Sequence, residues 1–204
     1  MERNKDGSLK WRTDFYLGPD IFGLKKIASG PWSMKDIRVV EIDGGIGVFT
    51  RPMDKEYGKG KICFLKIKNL EELKSFSEAE WYKAAIIGGL FNQNQWGGVN
   101  QAIRFPKDKP IGIIGHVAHQ TIHENGFIQK HYYAMSFVFN PKTLNHSEMK
   151  VIATRNDFPK SPSKRSPELD DVLFPAGIDA SGHLYCGLSD YCVGRIKIKN
   201  PFEI

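Results

Sequence analysis

A chain of 204 residues is long enough for one domain or two small ones, and its 41% hydrophobic, 25% charged and 12% aromatic content excludes a disordered or fibrous protein. The 29 Lys and Arg against 23 Asp and Glu leave a net charge of +6, but these cations are spread along the chain without a helix-turn-helix, an aromatic ribonucleoprotein motif or a basic tail, so no nucleic-acid partner is expected. No apolar run approaches the roughly 18 residues of a membrane helix, and Arg3, Lys5, Asp6, Lys10, Arg12 and Asp14 leave no apolar core for a secretory signal, so a cytoplasmic protein with no membrane partner is expected.

The elements in chain order are mostly strands. Residues 12–17 read as a lone outer strand. Residues 37–42 and 46–50 flank Asp43-Gly44-Gly45, apolar β-formers around a glycine turn, and 62–67 complete a three-strand group. Residues 70–87 read as one helix, because Leu70, Leu73, Phe76 and Lys83/Ala84 follow a partial 3.6 period supported by Trp81 and Ile87. Strands resume at 99–105, 111–118, 131–139 and 149–154, then at 172–178, 184–188 and 193–198. The groups open near Asp36, Gly97 and Asp171, a spacing of roughly 60 to 75 residues that suits decorated propeller blades. A sandwich or an irregular barrel fits the same strand count. Cys63, Cys186 and Cys192 are odd in number and lack a C-x-x-C spacing, so buried free thiols are expected rather than a disulfide framework or a cysteine zinc site.

Six groups of residues could carry chemistry. In Met34-Lys35-Asp36-Ile37-Arg38, strand alternation places Asp36 and Arg38 on one face, either as an acid beside an anion clamp or as a surface salt bridge. Trp96-Gly97-Gly98-Val99-Asn100 offers a ring for a sugar face and glycines for close backbone approach, or else a bulge with a core tryptophan. His116, His119 and His123 invite a metal, but His116 and His119 point to opposite faces of a strand, and no metal is expected. His131 and Tyr133 share a face, as a ligand surface or a satisfied buried network. Arg155, Lys160, Lys164 and Arg165 lie among Pro159, Pro162 and Pro167, a stiff cationic loop suited to phosphate. Asp190 ends an apolar strand, as a turn former or a ligand.

Asp36-Ile37-Arg38, Trp96-Gly97-Gly98-Val99-Asn100, Lys164-Arg165, Phe174-Pro175-Ala176-Gly177 and Tyr185-Cys186-Gly187-Leu188-Ser189-Asp190, in that order, resemble the mannosyltransferase/phosphorylase family, which is similar to the β-mannoside phosphorylases. The resemblance runs from about Trp11 to the end. It implies an all-β chain, a partial five-bladed β-propeller with one helical insertion near 70–87, forming a single domain over 1–204. It implies inverting phosphorolysis of a β-mannoside, β-1,2-linked by family likeness, to mannose 1-phosphate, and the reverse mannosyl transfer. Asp36 matches the family's single catalytic acid, with Ile37 where related phosphorylases have proline, and it would protonate the glycosidic oxygen through a sugar hydroxyl. One carboxylate suffices because phosphate arrives as an anion, whereas a hydrolase needs a second carboxylate to activate water. Arg38, Arg155, Lys164 and Arg165 are expected to bind that phosphate. Asn100, His116, His131, Tyr133 and Asp190 are expected to hold sugar hydroxyls, with Trp96 or Tyr132 stacking. No cofactor is implied, only a mannooligosaccharide with phosphate or a sugar phosphate.

The family's chain carries a further blade or more before the position of Trp11. An incomplete ring leaves open sheet edges for an oligomer or partner to cover, and the chain then reads as a fragment, a degenerate copy or a protein completed by a partner. The alternatives to an active phosphorylase are a non-catalytic carbohydrate-binding remnant and a hydrolase using Asp157, Asp170 or Asp171 as second carboxylate.

Overall fold

The computed structural model describes residues 11–53, 60–106 and 110–202; Arg3, Lys5, Asp6 and Lys10 lie outside them. The chain is all-β, with thirteen strands among the described residues, and it divides after Ile87 into two compact units. No helix among the described residues is long and apolar enough to cross a membrane.

In the first unit, β1 (Asp14–Leu17) pairs antiparallel with β2 (Lys25–Ser29), so the expected outer strand has a partner. The partner is hard to read in the sequence because Lys25 and Lys26 dilute its apolar pattern. A second sheet has the order β3 (Met34–Ile42), β4 (Gly45–Pro52), β5 (Cys63–Ile67), β6 (Ala85–Ile86), antiparallel throughout. Ile42 faces Gly45 across the turn, leaving Asp43-Gly44 as a two-residue connection, and Gly44 takes the left-handed φ of 72° that glycine adopts without a steric penalty.

The continuous helix expected over 70–87 is not formed. Two four-residue helices, α1 (Glu72–Ser75) and α2 (Glu78–Trp81), stand in its place, and Ala85–Ile86 adds a short strand beside Cys63 and Phe64. Phe76 is extended at ψ 120°, and Ser77 restarts the helix: the Glu80 carboxylate accepts from the Ser77 N–H at 2.7 Å and from its hydroxyl at 2.8 Å. This Ser-x-x-Glu capping pattern satisfies groups that a through-running helix would have bonded elsewhere. The break lets Leu73 and Trp81 both reach the core formed with Phe15, Met34, Ile37 and Val48, where Phe76 packs edge-on against Trp81 at 5.4 Å.

In the second unit, β7 (Trp96–Arg104), β8 (Ile111–Ile122) and β9 (Ile128–Phe139) form a long antiparallel meander. β8 takes one edge of β9 along its whole length, and two strands share the other. β10 (Lys150–Ala153) pairs antiparallel with Ala134, Met135 and Ser136, while β11 (Asp171–Ile178) pairs parallel with His131 and Tyr132. The edge of β9 therefore forks at Tyr133. β11 continues antiparallel to β12 (His183–Leu188), which pairs with β13 (Cys192–Lys197). The groups expected to open near Gly97 and Asp171 are thus joined by a two-residue parallel ladder. Leu173, Leu184, Ile114 and Ala134, each 0% exposed, anchor the core of this unit, and each large aliphatic chain buried there contributes about 1.5–3 kcal/mol.

All three cysteines are free thiols. Burial pushes the Cys63 thiol up to about 11 and the Cys186 thiol up to about 12, so neither presents thiolate at neutral pH. Cys192 is only half-buried. Iodoacetamide at pH 8 on the native protein is expected to modify Cys192 first, with Cys63 and Cys186 reacting only on unfolding, as peptide mass mapping over time will show.

Candidate functional site

Each unit carries one polar constellation of its own. In the first, strict alternation along β3 fails. The register shifts between Lys35, which faces Arg51, and Arg38, which faces Phe49, so two residues bulge opposite Thr50. Asp36 sits in this bulge at φ 51°, an uncommon conformation for a side-chain-bearing residue that Asp tolerates better than most. The bulge separates Asp36 from the expected Arg38 partnership. The Asp36 carboxylate instead accepts from Nη1 of Arg51 on β4 at 2.6 Å, and Arg51 is 5% exposed. Arg38 donates Nη1 to the Ile37 carbonyl at 2.9 Å. Strained carboxylates at bulges cluster at functional positions because the surrounding structure must hold them there.

In the second unit, the β9 fork gathers His119, His131, Tyr133, Thr121 and Asp171. Asp171 Oδ2 lies 2.7 Å from Nδ1 of His131 and accepts the Tyr133 hydroxyl at 2.8 Å. Nε2 of His131 lies 3.0 Å from the Thr121 hydroxyl, so with Nδ1 donating to the carboxylate the ring accepts from Thr121. The His119 ring stacks on His131 at 4.5 Å and 12°. Burial, together with its neighbour His131, lowers the His119 pKa. Burial and the bond to Asp171 push the Tyr133 phenol up to about 12, so it stays a protonated donor. Among the described residues no group of three or more His, Cys, Asp or Glu side chains is placed to hold a metal ion.

Several expected ligand contacts are packing groups. Trp96 is 6% exposed and donates Nε1 to the Tyr132 hydroxyl at 3.2 Å, so its ring face is not open to a sugar. Gly97 is required by strand packing, since a Cβ there would lie 2.1 Å from the His116 carbonyl oxygen. Asn100 and His116, 6% and 0% exposed, meet at 2.9 Å, and His116 lies against Tyr132 and Phe174: it is a satisfied core histidine. Ser189 and Asp190 take φ of 53° and 52° in a turn closed by Tyr191 N–H to the Leu188 carbonyl, so Asp190 shapes the hairpin.

The cationic loop is organised from inside. Arg155 is 8% exposed. Its Nε donates to the Ser189 hydroxyl at 3.2 Å, Nη1 to the Pro159 carbonyl at 3.0 Å and Nη2 to the Ser161 hydroxyl at 2.8 Å. These donors are spent on the protein, which removes Arg155 from the expected phosphate ligands. Lys164 is exposed, with its backbone N–H tied to the Ser189 carbonyl at 3.0 Å. Arg165 is exposed beside Glu168, which also binds Lys130 at 2.8 Å.

The family described as Protein of unknown function (DUF1861) matches residues 1–204. The chain belongs to this family. Solved structures similar to this DUF1861 chain include that of MPT-4, a mannose phosphorylase from Leishmania mexicana in complex with phosphate ion, with 33% identity over 98% of this chain and a TM-score of 0.84. MPT-1, a GDP-Man-dependent mannosyltransferase from Leishmania mexicana, shows 33% identity over 99% and a TM-score of 0.82. A hypothetical protein from Leishmania major shows 34% over 95% and 0.78. The DUF1861 chain spans 62%, 63% and 61% of those three chains. No curated protein matches it.

Arg51, His119 and Ser189 escaped the sequence reading. Arg51 follows a run of strand formers and carries no local mark of its pairing. His119 was read only as a poor metal ligand. Ser189 is 1% exposed, which Ser-Asp after a strand does not announce. Arg155→Met is expected to cost about 2–4 kcal/mol by stranding buried acceptors, and Ser189→Ala about 1–2 kcal/mol; urea unfolding of both variants measures this.

Proposed function

We propose that this chain takes part in mannosyl transfer between a β-mannoside and phosphate, forming α-mannose 1-phosphate with inversion, and in the reverse reaction. The observation that carries this reading is the likeness over 98% of the chain, at 33% identity, to a mannose phosphorylase solved with phosphate. The bulge that holds Asp36 at φ 51° supports it as the carboxylate of the reaction. In the reaction a phosphate oxygen attacks C1 opposite the leaving group. The C1–O glycosidic bond breaks, and the Asp36 proton passes through a sugar hydroxyl to the departing oxygen. Phosphate supplies its own negative charge, so no second carboxylate is called for. Asp157 and Asp170 are moreover engaged locally, Asp157 with the Thr154 N–H at 2.7 Å and Asp170 with the Ser166 hydroxyl at 2.8 Å.

By charge and position in the family-like motifs, Arg38 is proposed as an anion-binding residue within the first unit, and Lys164 and Arg165 as anion-binding residues within the second. Tyr133 is proposed to accept from a sugar hydroxyl, its own proton being given to Asp171, while His131, with both ring nitrogens engaged inside the protein, supports that face rather than binding the sugar. The meanders are read as blades of a five-bladed β-propeller, and the three free thiols suit a cytoplasmic setting. The relative that uses GDP-Man fits almost as well, at a TM-score of 0.82 against 0.84, so a nucleotide-sugar donor is the second reading.

Incubation with β-mannobiose isomers and inorganic phosphate, and separately with GDP-mannose and a mannoside acceptor, tests both donors. Mannose 1-phosphate is expected from the first arm, with the β-1,2 isomer turned over fastest. Asp36→Asn is expected to lower turnover at least roughly 1,000-fold in a protein that still folds by circular dichroism. Near-full turnover by that variant would remove Asp36 from the chemistry. Binding of mannosides without product in either arm would make the chain a carbohydrate-binding protein.

A further inference from the structure

Hydrogen-bond capacity in the fork of β9 is unevenly spent. Both ring nitrogens of His131 are engaged, Nδ1 by Asp171 at 2.7 Å and Nε2 by Thr121 at 3.0 Å. The Tyr133 proton goes to the same carboxylate oxygen at 2.8 Å. His119 differs. Its ring lies flat on His131 and 5.9 Å from Tyr133, and among the described residues no hydrogen bond engages either of its nitrogens. It is half-buried, so the stack fixes the ring while leaving an edge that solvent or a ligand reaches.

We infer that His119 is a sugar-contacting residue, binding a ring hydroxyl of the mannosyl substrate, while His131, clamped by Asp171 and Thr121, positions it. This rests on the mannosyl reading above. Three features of the cluster select an uncharged hydroxyl over phosphate. A neutral imidazole carries one donor and one acceptor, which matches a hydroxyl, itself donor and acceptor. Burial and the adjacent His131 disfavour a charge on His119, so the cationic form that would attract an anion is suppressed. The Asp171 carboxylate beside the stack repels phosphate at short range. Both histidines stand on paired strands, Ala118↔Tyr132 and His119↔His131 being adjacent rungs of the β8–β9 ladder, and regular strands hold a contact more tightly than a loop.

The test is NMR of the full chain with ¹³C,¹⁵N-labelled histidine, the His119 ring resonances being assigned by their loss in His119→Gln. Mannose is expected to shift them saturably, and inorganic phosphate alone is expected not to. His119→Ala is expected to weaken mannose binding by roughly 3- to 10-fold, as for loss of one neutral hydrogen bond, with His119→Asn recovering part of it and phosphate binding unchanged in both. Unmoved resonances with mannose, a response to phosphate instead, or an unchanged mannose affinity in His119→Ala would each overturn the assignment. The readout is binding, so absence of mannose 1-phosphate in the turnover assay would sink the phosphorolysis reading while leaving the His119 contact to stand or fall on its own shifts.

Discussion

A single carboxylate oxygen ties side chains across the shortest strand ladder of the second unit. Asp171 opens β11 where it runs beside β9 for two parallel rungs, opposite His131 and Tyr132. A ladder this short contributes little by itself, since parallel pairing is slightly weaker per residue than antiparallel pairing. The side chain makes up the difference: Oδ2 is bonded to both His131 and Tyr133, so the rung and the polar cluster are one structure. β8 occupies the opposite edge of β9 along its length, so the strand is paired on both sides of the fork at Tyr133 and the polar side chains on its face stand on paired strands.

The positive charge of the chain divides along a similar line. Arg51 and Arg155 are buried at 5% and 8% exposure and act inside the protein, one bound to the bulged Asp36 and the other gathering the proline-bearing loop onto Ser189. Burying the Arg155 guanidinium is tolerable because Nε, Nη1 and Nη2 each donate, to the Ser189 hydroxyl, the Pro159 carbonyl and the Ser161 hydroxyl. Lys164 and Arg165 remain outside because that internal scaffold carries the loop. A cationic segment in a sequence thus combines charges that face solvent with charges that organise the loop from inside.

Much of the fold was legible. Alternating apolar residues between glycine- or proline-bearing breaks marked eleven strands, because a half-buried sheet imposes period two on the residues themselves. The helix at 70–87 was overread, since Leu70, Leu73 and Phe76 keep a helical spacing across two short helices; Ser77-x-x-Glu80 was the local sign of the break. β2 and β6 are short or charge-diluted and leave little pattern to find. In the two polar constellations, Asp36 of the first unit and His131 and Tyr133 of the second stood out by residue type, but Trp96 and His116 did too, and their burial turned both into packing groups.

The sequence by itself determined the strand content, the turns, the resemblance to the mannosyltransferase/phosphorylase family and the polar residue types available to the two constellations. These follow from local periodicity, glycine and aspartate turn chemistry, and motif order, all of which are written within a few neighbouring residues. The tertiary structure decided who partners whom: Asp36 with Arg51 across 15 residues, Arg155 with Ser189 across 34, and His131 with Asp171 across 40. A one-residue bulge reverses which face a side chain takes, and only packing decides which polar groups are satisfied internally and which, like His119, are left facing outward. Such contacts depend on chain segments brought together by the core, and no local pattern encodes them.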